Sequence, residues 1–259
     1  MKKLIPLLLL LVAMPSLAQR QFDIEVIIFQ RAIDAEKTQE SWPDTLPEIN
    51  LSRAGSLSDA QYRQSKGVRM LSQSDYQLTD QAQRLRNHAG FQVLLHTAWR
   101  QGDQGDQGRA SAPVFHIQAG KDYSTQFNPD GSERVAQTEQ YRPIDDVVEQ
   151  TITPPLYELD GTLQIYVQHF LFAEANFDLK KPSVREVILQ DPSLDLDELD
   201  QDTRTNVQDG HLIAISPTME KQSFLKSYRL DQKRRMRSGE THYLDHPLMG
   251  MIIQVRRVQ

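Results

Sequence analysis

The densest concentration of groups that could bind an anion lies near the end of the chain, between residues 229 and 237. Its five cations are Arg229, Lys233, Arg234, Arg235 and Arg237. Alternate side chains of a strand share a face, so a strand here would put all of them except Arg234 on one side. Guanidinium groups bind carboxylates through paired hydrogen bonds. The spacing therefore indicates a surface for carboxylate groups.

Three aromatic residues are candidates to complete this surface: Tyr228, Tyr243 and Trp99. Aromatic rings offer large apolar faces on which a sugar ring can stack. Cations and aromatics together favour a ligand that carries both carboxylates and sugars. The alternative is that the arginines pair with the chain's own acids or solubilise an exposed sheet face. The sequence leaves both interpretations open.

His242, Asp245 and His246 form a second constellation, of metal-binding or acid–base character. Pro247 disfavours helix for the residue before it, and on a strand the two histidines share a face while Asp245 points away. A metal would then need a third ligand from elsewhere. The candidates for that ligand are His96, His116 and His169. The simpler interpretation is that the constellation satisfies backbone groups at a corner.

Local signatures of catalysis or cofactor binding are not found. There is no G-x-S-x-G, H-E-x-x-H or Walker-type loop, and the glycines of residues 102–108 predict a flexible hairpin tip and not a phosphate cradle. The acidic run 191–202 lacks the glycine and glutamate positions of a calcium loop and predicts a solvated loop. The absence of cysteine excludes thiol nucleophiles, disulfides and zinc–thiolate sites. We expect neither an enzyme nor a cofactor.

The first 18 residues have the pattern of a secretory signal peptide. Two lysines precede an apolar stretch at 4–14 and a small-x-small site at 16–18. The stretch is shorter than the roughly 20 residues that span a bilayer, so we expect cleavage after Ala18, export across the membrane, and one domain over 19–259 that is not embedded in the membrane. Removal of this segment leaves 27 basic and 35 acidic side chains, a net charge of −8. No general attraction to nucleic acid follows from that charge.

Apolar periodicity predicts the elements that must position these groups. Residues 22–29 alternate and predict a central strand, and the spacing of Leu78, Ala82, Leu85 and Ala89 predicts one amphipathic helix over about 72–89. Strands are predicted over 91–100, 156–172, 228–236 and 249–255. The pattern indicates an α+β fold with a mostly antiparallel sheet. Irregular insertions are expected at 30–70 and at the acidic loop 191–202.

Several stretches of this sequence resemble the CsiV family. They are FDIEVIIFQR at 22–31, LHTAWRQ at 95–101, ELDGTL at 158–163 and, as the most specific, RRMRSGETHYLDHPLMGM at 234–251. The resemblance implies a periplasmic, peptidoglycan-binding accessory protein of gammaproteobacteria that is linked to cell shape. It also implies action with an outer-membrane lipoprotein activator, to promote a class A penicillin-binding protein. It carries over no catalytic residue.

The leading hypothesis is therefore a non-enzymatic protein that binds peptidoglycan and promotes its synthesis. The predicted ligand-binding residues are Arg229, Lys233, Arg235, Arg237, Tyr228, Tyr243 and Trp99. One alternative is a protein–protein adaptor whose contact with the wall is indirect. The other is a metal-dependent hydrolase that uses His242 and His246.

Overall fold

The structure is a computed structural model that describes residues 20–38, 40–134, 153–188 and 219–258. The expected signal peptide at 1–18 and the acidic run 191–202 lie outside the described residues. Within the described ranges the chain forms ten strands, arranged in two five-stranded sheets.

The first sheet joins the beginning and the end of the described chain. Its strands are β1 (Gln21–Arg31), β3 (Arg69–Met70), β4 (Phe91–Gly102), β9 (Thr241–Asp245) and β10 (Met249–Arg257). Their order is β3-β4-β1-β10-β9, and every pair is antiparallel. The predicted first strand is confirmed at the centre of this sheet. Its inner face is apolar from Phe22 to Ile28, whereas its outer face is polar at Asp23 and Glu25 and apolar at the buried Ile27 and Phe29.

The second sheet has the order β2-β5-β6-β7-β8. Its strands are β2 (Ala54–Ser56), β5 (Val114–Asp122), β6 (Tyr157–Gln168), β7 (Phe170–Ile188) and β8 (Met219–Met236). β2 runs parallel to β5, and β6 is antiparallel to β7. The sequence predicted one strand over 156–172. This was wrong, because His169 adopts a positive φ of 57° and reverses the chain between β6 and β7.

Three short α-helices, α1 (Ala60–Ser65), α2 (Thr79–Asn87) and α3 (Gly108–Ser111), accompany the sheets. The helix predicted over 72–89 is α2, which begins later than expected. A 3-10 turn at Gln73–Asp75 precedes it, and the backbone N–H groups of Gln77 and Leu78 donate to Glu25 instead of continuing the helix. Ala82 of α2 packs with Leu78, Ile27 and Phe29 on the outer side of the first sheet.

The main core lies between the inner faces of the two sheets. Alternate residues of β1, β4 and β10 meet alternate residues of β5, β6, β7 and β8 there, with Trp99 and Phe177 among the largest buried side chains. Burial of these apolar faces is the main source of stability. The predicted α+β class with mostly antiparallel sheets is confirmed.

The outer face of the second sheet is polar. On β6 the outward positions are Asp160, Thr162 and Gln164, which alternate with buried Leu159, Gly161 and Leu163. On β7 the outward positions Glu174, Asn176 and Asp178 alternate with buried Ala173, Ala175 and Phe177. This two-residue period makes one face a core surface and the other a surface for polar contacts.

The chain divides into two compact units. The first comprises Met1–Lys121, Tyr157–Lys180 and Ser227–Gln259, and contains the core just described; the second comprises Asp122–Leu156 and Lys181–Lys226. In the second unit, Tyr123, Phe127 and Leu225 form a small apolar cluster with Leu156. The single domain predicted over 19–259 stays a prediction.

Candidate functional site

Strand β8 presents its cations on the outer face of the second sheet. Tyr228 and Leu230 point into the core and are each only 2 % exposed, so the odd-numbered residues between 229 and 235 point outward. Arg229, Lys233 and Arg235 therefore share a face, as the alternation predicted. They differ in which partners they meet on that face.

Arg229 is engaged inside the protein. Its Nε and Nη2 donate to the two carboxylate oxygens of Asp178, both at 2.8 Å. Both side chains are largely shielded from solvent. The Asp178 carboxylate raises the pKa of the Arg229 guanidinium. A paired and shielded guanidinium is a structural group, so Arg229 is not available to bind a ligand carboxylate.

Lys233 belongs to a cluster centred on Glu174. Its Nζ lies 3.0 Å from Glu174, whose carboxylate also accepts from Arg109 Nε at 2.8 Å and from the Tyr166 hydroxyl at 2.7 Å. Burial raises the pKa of Glu174, but the hydrogen bonds from Arg109, Tyr166 and Lys233 outweigh burial and keep that pKa below its ordinary value. Glu174 therefore stays ionised and holds two cations side by side.

Arg235 lies further along β8 and Arg237 lies one residue beyond its end, and both are more exposed. The Arg235 guanidinium lies 4.6 Å from the centroid of the Phe170 ring, and Phe170 is 53 % exposed. Arg237 lies 3.6 Å from Glu240, and its side chain is 80 % exposed. Exposed pairs of this kind hold a side chain weakly. Both guanidinium groups therefore remain accessible to a ligand.

The three predicted aromatics do not join this surface. Trp99 is fully buried, donates from Nε1 to Gln101, and packs edge-to-face on Phe115. Tyr228 is in the core and packs edge-to-face on Trp42. The expectation that these two rings offer stacking faces was wrong, because both point between the sheets.

Tyr243 lies in the first sheet, on β9. Its hydroxyl accepts from Arg31 Nη2 at 2.6 Å and donates to Asp245 at 2.9 Å, and its ring stacks on Phe29. It is 40 % exposed, so it stays a candidate contact, but in a different cluster from Lys233 and Arg235.

Other aromatics lie beside the cations instead. Tyr166 and Phe172 stack with centroids 5.4 Å apart, and Lys233 Nζ lies 5.0 Å from the Phe172 centroid. Ammonium groups are attracted to ring faces at this distance. Tyr166 and Phe172, with exposed Phe170, supply the aromatic component that the sequence analysis assigned elsewhere.

A polar cleft of about 410 Å³ opens beside Glu174 and Lys233. Its lining combines charged groups with side-chain amides and hydroxyls. The lining residues are Asn50, Ser52, Arg53, Arg109, Val114, Thr162, Gln164, Glu174, Ala175, Asn176, Asp231, Gln232 and Lys233. All belong to the first unit. The buried Oδ1 of Asn176 has no hydrogen-bond partner among the residues that the structure describes, so an acceptor is left over beside the floor.

One wall of the cleft is built by the glycine-rich segment. Instead of the flexible tip predicted for 102–108, the chain forms a 3-10 turn at Gly105–Gln107 followed by α3. Gly108 has a φ of 43°, and a Cβ there would stand 3.0 Å from the carbonyl oxygen of Val167. Glycine thus allows α3 to lie close on β6, where Gln164 donates to the carbonyl oxygens of Arg109 and Ala112. This contact fixes Arg109 at the cleft.

Sequence reasoning missed Arg53, Arg109, Glu174 and Asp231. The alternation of polar and apolar residues over 173–179 was a usable signal for Glu174, since it marks an outward face. Arg53 lies in a turn and Arg109 in the four-residue helix α3, and neither segment is long enough for a periodicity that indicates the direction of a side chain.

His242, Asp245 and His246 have separate roles at the corner. His242 Nε2 lies 3.0 Å from the backbone nitrogen of Arg237, Asp245 pairs with Arg31, and His246 Nδ1 accepts from the Leu248 N–H. The proposed third ligands are engaged elsewhere in two cases, since His96 binds Glu25 and His116 binds Asp160. Within the described ranges, no three His, Asp or Glu side chains are grouped to hold a metal.

Ser223 and Lys226 have the S-x-x-K spacing of a known nucleophile–base motif. They lie on strand β8, where residues three apart point to opposite faces. The spacing therefore does not bring the hydroxyl to the amine as it would on a helix.

Comparison with known families gives a match over residues 3–258, to the model of a family described as peptidoglycan-binding protein, CsiV. The chain belongs to the CsiV family. The match spans both compact units and nearly the whole sequence. No curated protein and no solved structure matches the chain.

The CsiV description associates the chain with peptidoglycan and hence with the cell envelope. Among the described residues, none of the helices has the length and apolar character needed to cross a membrane.

Proposed function

We propose that this protein is a non-enzymatic, periplasmic accessory protein that binds peptidoglycan through the outer face of its second sheet. The cations that carry this function are Lys233, Arg235 and Arg237 of the original prediction, joined by Arg109. Family membership supports peptidoglycan as the ligand, and the open cationic cleft supports the outer face of the second sheet as the binding surface. Peptidoglycan carries free carboxylates on its peptides, which suit guanidinium and ammonium groups.

The observation that carries the proposal is that Arg109 and Lys233 line an open cleft, while Arg235 lies exposed on the same strand as Lys233. Where a cation pairs with an internal acid of its own, as Arg229 does with Asp178, it is not available to a ligand. Arg109 and Lys233 instead share one carboxylate, and Arg235 has an aromatic partner in place of an acid. The face therefore has spare positive charge in a protein that is acidic as a whole.

Charge reversal tests the proposal directly. We expect Arg235→Glu with Arg237→Glu to weaken binding to purified sacculi about tenfold, because exposed cations are replaced by groups that repel carboxylates. Cosedimentation of the pure protein with sacculi measures it. The matched control is Arg84→Glu with Arg86→Glu, which changes the net charge equally on the exposed side of α2. Equal binding by the two variants, at matched circular dichroism, would contradict this surface.

The regulatory part of the proposal is action with an outer-membrane lipoprotein activator, to promote a class A penicillin-binding protein. The sequence resemblance supports this part. The test is glycan-polymerisation rate in a reconstituted system, with and without the protein and the activator. An increase that needs the activator supports the proposal, and an unchanged rate contradicts it.

The same cosedimentation separates direct wall binding from the adaptor alternative. An adaptor stays in the supernatant when no partner protein is present, whereas a direct binder sediments alone. Analysis of the sacculi afterwards tests for hydrolysis, since a non-enzymatic binder leaves the muropeptide profile unchanged.

A further inference from the structure

We propose that the cleft binds the peptide part of peptidoglycan and not its glycan strand. This inference rests on the proposed function and names the part of the polymer that the site recognises. The ligand is a short peptide that bears both a free carboxylate and a free amine. The cations of one wall bind the carboxylate, and Asp231 binds the ammonium group.

The cationic side of the cleft retains free donors. Arg109 uses Nε and Nη2 on Glu174, which leaves its Nη1 without a partner in the described part of the chain. Arg53 donates through Nη2 to the carbonyl oxygen of Ala110 at 2.6 Å, which anchors its side chain at the rim. Lys233 has three ammonium hydrogens, and its ion pair with Glu174 does not use all of them. All three cations line the same cleft, and their donors suit a carboxylate.

The ligand's ammonium group needs an acid in the cleft, and Asp231 is that acid. On β8, Arg229 pairs with Asp178 of β7, and Lys233 pairs with Glu174 of β7. Asp231 lies midway between the two cations, and Asn176 lies midway between the two acids. Asp231 is therefore next to Asn176 across the two strands. Asp231 is exposed, and among the described residues it makes no ion pair and accepts no hydrogen bond. An unpaired carboxylate within a cationic cleft is suited to an ammonium group of the ligand.

Between these charges the lining is suited to a peptide backbone. Asn50, Thr162 and Asn176 offer amide and hydroxyl groups, and the buried Oδ1 of Asn176 lacks a donor. Amide and hydroxyl groups pair with backbone N–H and C=O groups. The volume of about 410 Å³ lies within the roughly 300–1,000 Å³ typical of small-ligand pockets. The cleft is therefore large enough for a short peptide.

The cleft lacks what a sugar-binding site requires. None of its lining residues is aromatic, and the nearest stacked rings, Tyr166 and Phe172, have Lys233 over them. Sugar recognition commonly relies on an open aromatic face. The composition of the lining therefore favours the peptide.

Competition with defined probes tests the inference. The full-length protein is bound to sacculi and then challenged with glycan strands stripped of peptide by an amidase, or with a synthetic stem peptide that has a free carboxylate and a free side-chain amine. We expect the peptide to release the protein and the stripped glycan to have no effect. We also expect acetylation of the amine to weaken the peptide about tenfold, since one charged pair is lost.

The Asp231→Asn variant tests whether Asp231 binds the amine of the peptide. It should bind the free-amine peptide about tenfold more weakly than the wild type does, and it should no longer distinguish that peptide from the acetylated one. Asp80→Asn on α2 is the matched control, because it also removes one exposed carboxylate, and it should behave as the wild type. Release by stripped glycan but not by peptide would overturn the inference while leaving sacculus binding intact. Failure of the wild-type protein to bind sacculi at all would instead contradict the proposed function.

Discussion

At the scale of single residues, internal partners decide which groups are available to a ligand. Arg229 and Lys233 have the same outward direction on the same strand, yet Arg229 has its own carboxylate while Lys233 shares one with Arg109. The sequence predicts the direction, because alternation fixes it. It does not predict the partners, because those depend on which residues of β7 stand opposite β8.

His246 shows how burial changes a residue that looks reactive in the sequence. It is 7 % exposed and packs on Trp42 with ring centroids 5.0 Å apart. Burial lowers the pKa of His246 to about 4, with Arg31 adding to this effect and Asp245 opposing it. The imidazole is therefore neutral in the folded protein.

This pKa predicts a pH dependence of stability. The unfolded chain takes up a proton at His246 as the pH falls through about 6.5, whereas the folded protein does so only near 4. The contribution of His246 is fully present above pH 6.5 and is lost as the pH falls toward 4. We expect the free energy of unfolding to decrease by about 2–3 kcal/mol over this range. Urea denaturation at a series of pH values measures it.

His246→Asn is the control, because its side-chain oxygen replaces the acceptor for the Leu248 N–H and cannot titrate. The carboxyl groups with lowered pKa, among them Glu25, Glu174 and Asp160, add a loss at lower pH in both proteins. The difference between the two curves isolates His246. Parallel curves between pH 6.5 and 4.5 would show that the prediction is wrong.

At the scale of elements, glycine determines how closely the strands of the site approach. A Cβ on Gly161 of β6 would stand 2.2 Å from the carbonyl oxygen of Asn176 and 2.6 Å from the Phe177 Cα. Both atoms belong to the backbone of β7, so the added carbon cannot be accommodated by a change of rotamer. The strands would have to separate beneath the cleft.

We therefore expect Gly161→Ala to lower the free energy of unfolding by about 3 kcal/mol, which is the cost of overpacking. Gly67→Ala is a useful comparison. Gly67 also has a restrictive conformation, with φ of +63°, but nothing lies within 4 Å of its added Cβ. That substitution should cost only about 1 kcal/mol, from backbone strain. Chemical denaturation of both variants decides, and equal costs would rule out the steric explanation.

The strands and helices also show which parts of the fold can be predicted from the sequence. Strong periodicity predicted β1, β4, β10 and α2, because a buried face leaves a repeating apolar pattern. It failed at His169, where a single non-glycine residue turns the chain without any glycine, proline or asparagine to mark the reversal. The cleft was beyond prediction, because it combines a turn near residue 50 and the short helix α3 with residues of four strands, β5, β6, β7 and β8.

At the scale of the whole molecule, the cationic surface on the second sheet belongs to a protein whose net charge is negative. The sequence carries a net charge of −6, and peptidoglycan is also anionic through its peptide carboxylates. Long-range repulsion should therefore slow the approach, while short-range pairs stabilise the complex once formed. The two effects respond differently to salt, because screening acts mainly beyond the Debye length.

This balance predicts an unusual salt dependence. Raising the ionic strength from about 0.01 M to about 0.15 M shortens the Debye length from about 30 Å to about 8 Å. We expect the association rate constant with immobilised muropeptide polymer to rise about two- to fivefold, and the dissociation rate constant to rise as well. Surface plasmon resonance separates the two rate constants. An association rate constant that falls with salt would indicate that the local patch dominates at every distance.

The pairing of β1 with β10 has a consequence for how the protein is made. Phe22 stands opposite Arg257 and Ile28 opposite Met251, so the centre of the first sheet joins segments from opposite ends of the sequence. Contacts between such distant segments slow folding. A chain that emerges from the ribosome in order displays the apolar segment FDIEVIIF long before its partner exists, and unpaired apolar strands readily self-associate. Nascent chains of this protein should therefore depend on a holding chaperone until β10 has been synthesised.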